Sequence, residues 1–224
     1  MAVDQLLFGY HDGHELIAGS RPLSAVQQRE LLPHLDASFE AADERQLVGA
    51  AIASLDGYVL ARIWPAPERP RPGAVWAHAL LLNAEQLRFR RLGGLLALLR
   101  RPVDEHLDGY ADQLPWPRDV ELAPSPPPLA EALTRAALAG DRRPRVVLWH
   151  AASDAEPALV ALLDAFPGPA RNAFSFRTRE RARLGATPYR LQVASVLSGQ
   201  GAGASDVVID DARQPPGASS LLAS

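Results

Sequence analysis

The chain has 224 residues, 47% of them apolar and 22% charged, with a formal net charge of −3. That length and balance suit a folded protein with a real core and exclude a disordered chain. The small net charge creates no global field that would select nucleic acid or a membrane surface. There is no cysteine, and all 23 basic residues are arginine. Disulfides, thiolate chemistry, lysine Schiff bases and a Walker-type phosphate lysine are therefore excluded; a GC-rich coding sequence accounts for both absences. Residues Met1 to Gln5 lack the basic region and apolar run of a signal peptide. No stretch reaches the roughly 18 apolar residues of a membrane helix, so the sequence predicts a cytoplasmic protein.

Leu6-Leu7-Phe8, Tyr10, Asp12-Gly13 and Glu15 to Ala18 read as a β-hairpin, because Asp-Gly favours the turns that match strand twist. Ser24 and Gln27 have capping-box spacing at the start of a helix. Val26, Leu31, Leu32 and Leu35 mark its buried face, and Pro33 kinks or ends it. After an acidic loop from Asp36 to Glu44, Leu47–Leu55 and Tyr58–Trp64 read as a second hairpin turning at Asp56-Gly57. Residues 65–73 hold Pro65, Pro67, Pro70 and Pro72, which lack the amide donor, so they read as an extended surface loop outside any ladder.

Ala74–Leu82 is a near-continuous apolar strand, expected to be central and buried on both faces. Asn83 can cap a helix starting at Ala84, and Gly94–Arg100 reads as another short helix. The Pro-rich stretch 102–128 is the candidate subdomain boundary. Leu129–Ala139 reads as a helix stopped by Gly140, and Val146–Trp149 as a strand. Ser153, Glu156 and Pro157 suggest a capped helix whose inner face carries Leu159, Leu162, Leu163 and Phe166. Ala173–Arg177, Tyr189–Leu197 and Val207–Ile209 read as strands. Strand pairs first and helix–strand alternation later argue an α+β fold on a mixed, largely antiparallel sheet. Residues 1–197 are expected to be one domain, and 198–224 a Gly/Ala/Ser/Pro-rich segment with one short strand and a loose tail.

Two stretches carry a family likeness. One runs from Phe8 to Ser20 through Gly9-Tyr10-His11-Asp12-Gly13-His14; the other is Arg62-Ile63-Trp64-Pro65 with Pro72-Gly73-Ala74-Val75-Trp76-Ala77-His78. A third, from Phe166-Pro167 to Asn172-Ala173-Phe174-Ser175-Phe176, is weaker. Together they resemble the N-terminal domain of GTPase-associated protein 1. Where that family pattern carries Cys and Thr, this sequence has Ala74 and Ala77. The resemblance implies a component of bacterial conflict or defence systems encoded beside a GTPase, in a domain that usually precedes others in a longer protein. It brings no catalytic residues with it.

The candidate chemistry is sparse. His11 and His14, flanking Asp12-Gly13, would face each other across a two-residue turn, but two imidazoles without a fixed third ligand are more simply solvated turn residues. No metal or cofactor site is predicted. His78 lies in an apolar strand, where it is either a hydrogen-bonded core residue or a general base. Arg62, Trp64, Arg69, Arg71 and Trp76 surround the proline loop and could form a cationic, stacked recognition surface. Arg177, Arg179, Arg181 and Arg183 would share one face if extended, suiting a phosphate or an acidic protein partner. Ser198-Gly199-Gln200-Gly201 has glycines but no following helix or lysine, and reads as linker.

The sequence thus favours a non-catalytic adaptor that binds a GTPase or effector protein, with self-association open and nucleic acid disfavoured. The alternatives are a histidine-dependent hydrolase or nuclease-like enzyme using His78, His11, Asp12 and His14, and a phosphate- or nucleic-acid-binding module using the arginine run.

Overall fold

Apolar residues at alternate and then consecutive positions build one sheet covered on both faces. In the computed structural model, residues 1–39, 41–103, 107–120, 122, 125–138, 145–149, 155–179, 189–195 and 207–209 are described. The first strands are β1 (Ala2–Tyr10), β2 (His14–Gly19), β3 (Gln46–Ile52), β4 (Gly57–Pro65) and β5 (Val75–Asn83). The short β6 (Leu114–Pro115) is followed by β7 (Arg145–Trp149), β8 (Phe176–Arg179), β9 (Leu191–Ser195) and β10 (Val207–Ile209). Helices are α1 (Ala25–Leu35), α2 (Ala84–Phe89), α3 (Pro127–Leu138), α4 (Glu156–Ala165) and the single-turn α5 (Gly168–Arg171).

The strands form a ten-stranded sheet in the order β10-β7-β9-β8-β3-β4-β5-β1-β2, with β6 paired to β1 off this path. All pairs from β8 to β2 are antiparallel. The β8–β9, β9–β7 and β7–β10 pairs are parallel. The fold is α+β, as the element order suggested, and the sheet changes character at β8. β5 sits between β4 and β1, with Val75 to Leu82 all buried. Such a strand needs cover on both sides. On one face Leu60, Leu80 and Phe176 pack with Leu133 of α3 and Leu159 and Leu163 of α4. On the other, Leu6, Phe8, Val48 and Ala79 meet Leu31 and Leu35 of α1.

The predicted capping box of α1 forms, and the predicted Asn83 cap of α2 forms as a full box with Gln86. Ser24 and Gln27 satisfy each other's backbone at α1, as do Asn83 and Gln86 at α2. Each spares the helix two orphan amides.

Several local expectations change. Tyr10 pairs with His14, so the first hairpin turns through three residues, 11–13, and His11 and His14 do not face each other. Val26 is exposed because it shares a side of α1 with Glu30, whose carboxylate accepts from the amides of Ala53 (2.8 Å) and Ser54 (2.9 Å). Pro33 is accommodated within α1, which ends two residues later at Leu35. β3 stops at Ile52, and a 3-10 turn, Ala53–Leu55, leads to Asp56 in the left-handed region (φ 47°). Residues Gly93–Ala97 form a 3-10 turn rather than an α-helix.

The proline loop is not extended. Pro65 pairs with Val75, and the loop closes through Ala66 N–H to Ala74 C=O (2.8 Å), with inner turns from Arg69 N–H to Ala66 C=O and Ala74 N–H to Arg71 C=O. Prolines block ladder bonding, yet the other amides make turns. Helix α4 begins after Ala155 with no side-chain cap. Glu156 turns instead to two arginines. Ser153, Gly140, Arg181, Arg183 and the 198–201 stretch lie outside the described residues.

Gly9 is where the backbone of β1 admits an aromatic ring. A Cβ there would lie 2.2 Å from Cζ3 of Trp76. Gly9→Ala is expected to lower stability by roughly 1–3 kcal/mol, the usual cost of overpacking, read as a lower urea midpoint with an unchanged slope.

Candidate functional site

The polar residues singled out above fall into three neighbourhoods. The first is inside the sheet. His78 on β5 is 0% exposed and stands opposite Arg62 of β4 and Leu7 of β1. The amide of Arg100 donates to its Nδ1 (3.1 Å). An amide can only donate, so the proton is on Nε2, which donates to Oε1 of Gln5 (2.9 Å). The Gln5 amide group then donates to the carbonyls of Gly109 (3.0 Å) and Asp112 (2.6 Å). Tyr110 closes edge-on against the imidazole at 5.0 Å. Burial first, then the Arg100 and Arg62 charges, pushes the His78 pKa down to about 3. Both ring nitrogens are committed, so His78 ties β5 and β1 to the loop after residue 99. His11 sits exposed at the hairpin tip beside Asp12 (3.6 Å) and Glu15 (3.3 Å). His14 lies 3.9 Å from Asp36, with Phe8 edge-on. None of these shares a hydrogen-bond partner or ion-pair partner with His78. Among the described residues no three His, Asp or Glu group so as to hold a metal ion.

The second neighbourhood joins the two kinds of sheet. Arg62 donates from Nη2 to Glu156 of α4 (2.7 Å), and from Nη1 to the carbonyls of Leu99 (3.2 Å) and Leu96 (3.4 Å). Arg45 reaches the other carboxylate oxygen of Glu156 (3.2 Å). Glu156 is 2% exposed and Arg62 13%. Trp64 packs alongside, 6.0 Å from the Arg62 guanidinium. Arg177 is likewise internal at 3% exposure, donating to Gln46 (2.9 Å) and to the Asp36 carbonyl, with the Tyr189 ring against it. Of the expected arginine face, Arg177 is therefore spent in the core and Arg179 ends β8.

Arg171 is a clamp whose role the sequence did not suggest. It donates to the carbonyls of Leu87 (2.8 Å), Arg90 (2.8 Å), Asp164 (2.6 Å) and Phe166 (3.1 Å). Asp164 in turn accepts from the Leu92 amide. Gln5 was also missed, although a glutamine inside an apolar strand signals a partner, because burying it unpaired is costly.

The third neighbourhood is the loop between β4 and β5. Arg69 lies over Trp76 at 4.4 Å, and Arg71 over Tyr10 at 5.0 Å. Trp76 donates to Glu68 (2.7 Å), which also takes Arg101 (2.6 Å). Arg71 and the 11–13 turn are exposed or half-exposed at one end of the sheet.

These features define an α+β protein whose buried polar groups brace the sheet and whose exposed, ordered cationic group lies at one sheet end. Residues 2–99 match the family model of GTPase-associated protein 1, N-terminal domain type 1, so the likeness carried by the Phe8–Ser20 and Arg62–His78 stretches is established over that span. The matched span contains β1 to β5, α1, α2 and the 3-10 turn after them; the Phe166–Phe176 block lies beyond it. No curated protein matches the chain, and no solved structure does. No helix among the described residues is long and apolar enough to cross a membrane.

Two outcomes follow from these contacts. Glu156→Ala leaves Arg62 uncompensated beside the core and is expected to cost about 3 kcal/mol, the low end for a broken buried pair because Arg62 keeps some solvent; urea unfolding measures it. Protonation of His78 is deferred in the folded state, whereas the unfolded chain takes the proton near 6.5. Between pH 6.5 and about 3 the unfolded state binds more protons, so stability falls as pH drops. His78 contributes a slope of up to about 1.4 kcal/mol per pH unit there. Urea midpoints at pH 7.5 and 5 should diverge, and by less in His78→Gln.

Proposed function

We propose that the chain is a non-catalytic interaction domain that works with a GTPase in a bacterial conflict or antiphage defence system. The observation that carries this reading is how the polar side chains are used. His78, Arg62, Glu156, Arg171 and Arg177 are bonded inside the fold, whereas Arg69 and Arg71 are stacked at the surface. A catalytic histidine needs a free ring nitrogen facing a cleft, and the bonded state of His78 speaks against the hydrolase alternative. The family likeness of residues 2–99 supports association with a GTPase. A sheet running unbroken through β3 and β8 supports reading residues 1–197 as one domain. The lack of cysteine fits the cytoplasm.

The test is size-exclusion chromatography with light scattering on the chain mixed with the GTPase encoded beside it. GDP and a non-hydrolysable GTP analogue are compared. A complex that forms in one nucleotide state supports the reading, and the scattering mass of the chain alone reports self-association. Independent elution in both states defeats it.

A further inference from the structure

We propose that the 66–74 loop is a receptor for the carboxylates of an acidic segment on a partner protein, with Arg69 and Arg71 as the paired donors. This rests on the interaction-domain reading and names the chemistry it would recognise.

A guanidinium stacked on a ring has its face covered and its N–H edge free for in-plane bidentate bonds to an oxyanion. Arg69 lies 4.4 Å over the Trp76 ring and Arg71, which is exposed, 5.0 Å over the Tyr10 ring, so each has one side against an aromatic. Arg21, Arg45, Arg62, Arg101 and Arg171 each have a carboxylate within 4.0 Å. Arg69 and Arg71 have none among the described residues, as is also true of Arg29, Arg88, Arg100 and Arg135; what sets the pair apart is that both lie over rings of one ordered loop neighbourhood, with the Nε of Arg69 buried and unpartnered. That Nε is closed to solvent, so an arriving carboxylate would meet the outer guanidinium nitrogens of Arg69 and those of the exposed Arg71.

The platform is also ordered before any ligand arrives. The loop is closed by Ala66 N–H to Ala74 C=O (2.8 Å) and turned at Gly73, whose φ is 77°. Trp76 is held by Glu68 at 2.7 Å and rests on Gly9. Preorganised side chains lose less entropy on binding.

The surroundings choose a carboxylate over a polyphosphate. Glu68 lies within the loop, and the turn beside Tyr10 carries Asp12, 94% exposed, and Glu15. A nucleic-acid backbone would meet these charges, and the net charge of −3 supplies no wider attraction. Single carboxylates spaced along a peptide can engage the two arginines and avoid the acidic turn.

The experiment is fluorescence anisotropy with a labelled oligoglutamate peptide at low and moderate salt, with a labelled single-stranded oligonucleotide in parallel. Salt-sensitive peptide binding is expected, weakened at least about tenfold by Arg69→Ala/Arg71→Ala. Arg71→Lys should also weaken it, since lysine keeps the charge and loses the planar fork. Arg71→Glu, at an exposed position, keeps the question answerable should the double variant fail to fold, and it should abolish binding. No peptide binding, equal binding by Arg71→Glu, or tighter binding of the oligonucleotide would overturn the proposal. A GTPase complex indifferent to Arg71→Glu would overturn this inference alone. Peptide binding lost in Arg71→Glu, with no GTPase complex in either nucleotide state, would support the receptor and count against the GTPase reading only.

Discussion

The buried ion pair between Arg62 and Glu156 is the constraint around which the two parts of the sheet are arranged. Taking both charges out of water costs several kcal/mol per ion. Several bonds offset part of that cost here, while Nε of Arg62 is buried without a partner among the described residues. The carboxylate is approached by two arginines, and Arg62 also donates to the Leu96 and Leu99 carbonyls. Since α4 leads from the parallel strands and Arg62 lies on antiparallel β4, the pair sets how the helical cover sits on the sheet. The β3–β8 pairing supplies the second link, with Thr178 accepting from the Leu47 amide at 2.7 Å.

A similar logic recurs nearby. His78, Gln5 and the carbonyls of Gly109 and Asp112 form a chain in which each polar group is matched. It fastens Arg100, Gly109 and Asp112 to strands that the family match covers. Arg171 does the same between α2 and α4 by drawing four carbonyls onto one guanidinium. Buried polar networks of this kind hold a fold in one arrangement when fully satisfied, because an unpaired member in a low-dielectric interior is expensive. At the surface, the short loop places Arg69 over Trp76 and Arg71 over Tyr10.

Local signals were legible where the chain's neighbours in sequence are its neighbours in space. The Ser24–Gln27 box, the Asn83 cap, the hairpin at Asp12-Gly13 and the apolar run of β5 all rest on contacts within a few residues or on burial of a whole strand. The carboxylate of Glu156, by contrast, is taken up by an arginine 94 positions away, a contact that no local spacing announces. The first hairpin was read one residue too tight: register is set by cross-strand pairing, which places Tyr10 opposite His14.

Composition, periodicity and turn or cap residues by themselves determined the α+β class, the central place of β5, two helix caps and the absence of cysteine and lysine chemistry; the motif residues of 8–20 and 62–78 separately carried the resemblance to a GTPase-associated family. Tertiary structure alone decided the rest. It made the C-terminal strands parallel, because parallel pairing joins strands distant in sequence and leaves no local turn signature. It decided which of the many arginines brace the interior and which lie at the surface, since a guanidinium's surroundings depend on the carbonyls, carboxylates and rings that the fold brings to it. Arg62 and Arg71 are alike in sequence; one is bonded to a buried glutamate and the other lies on a tyrosine at the surface.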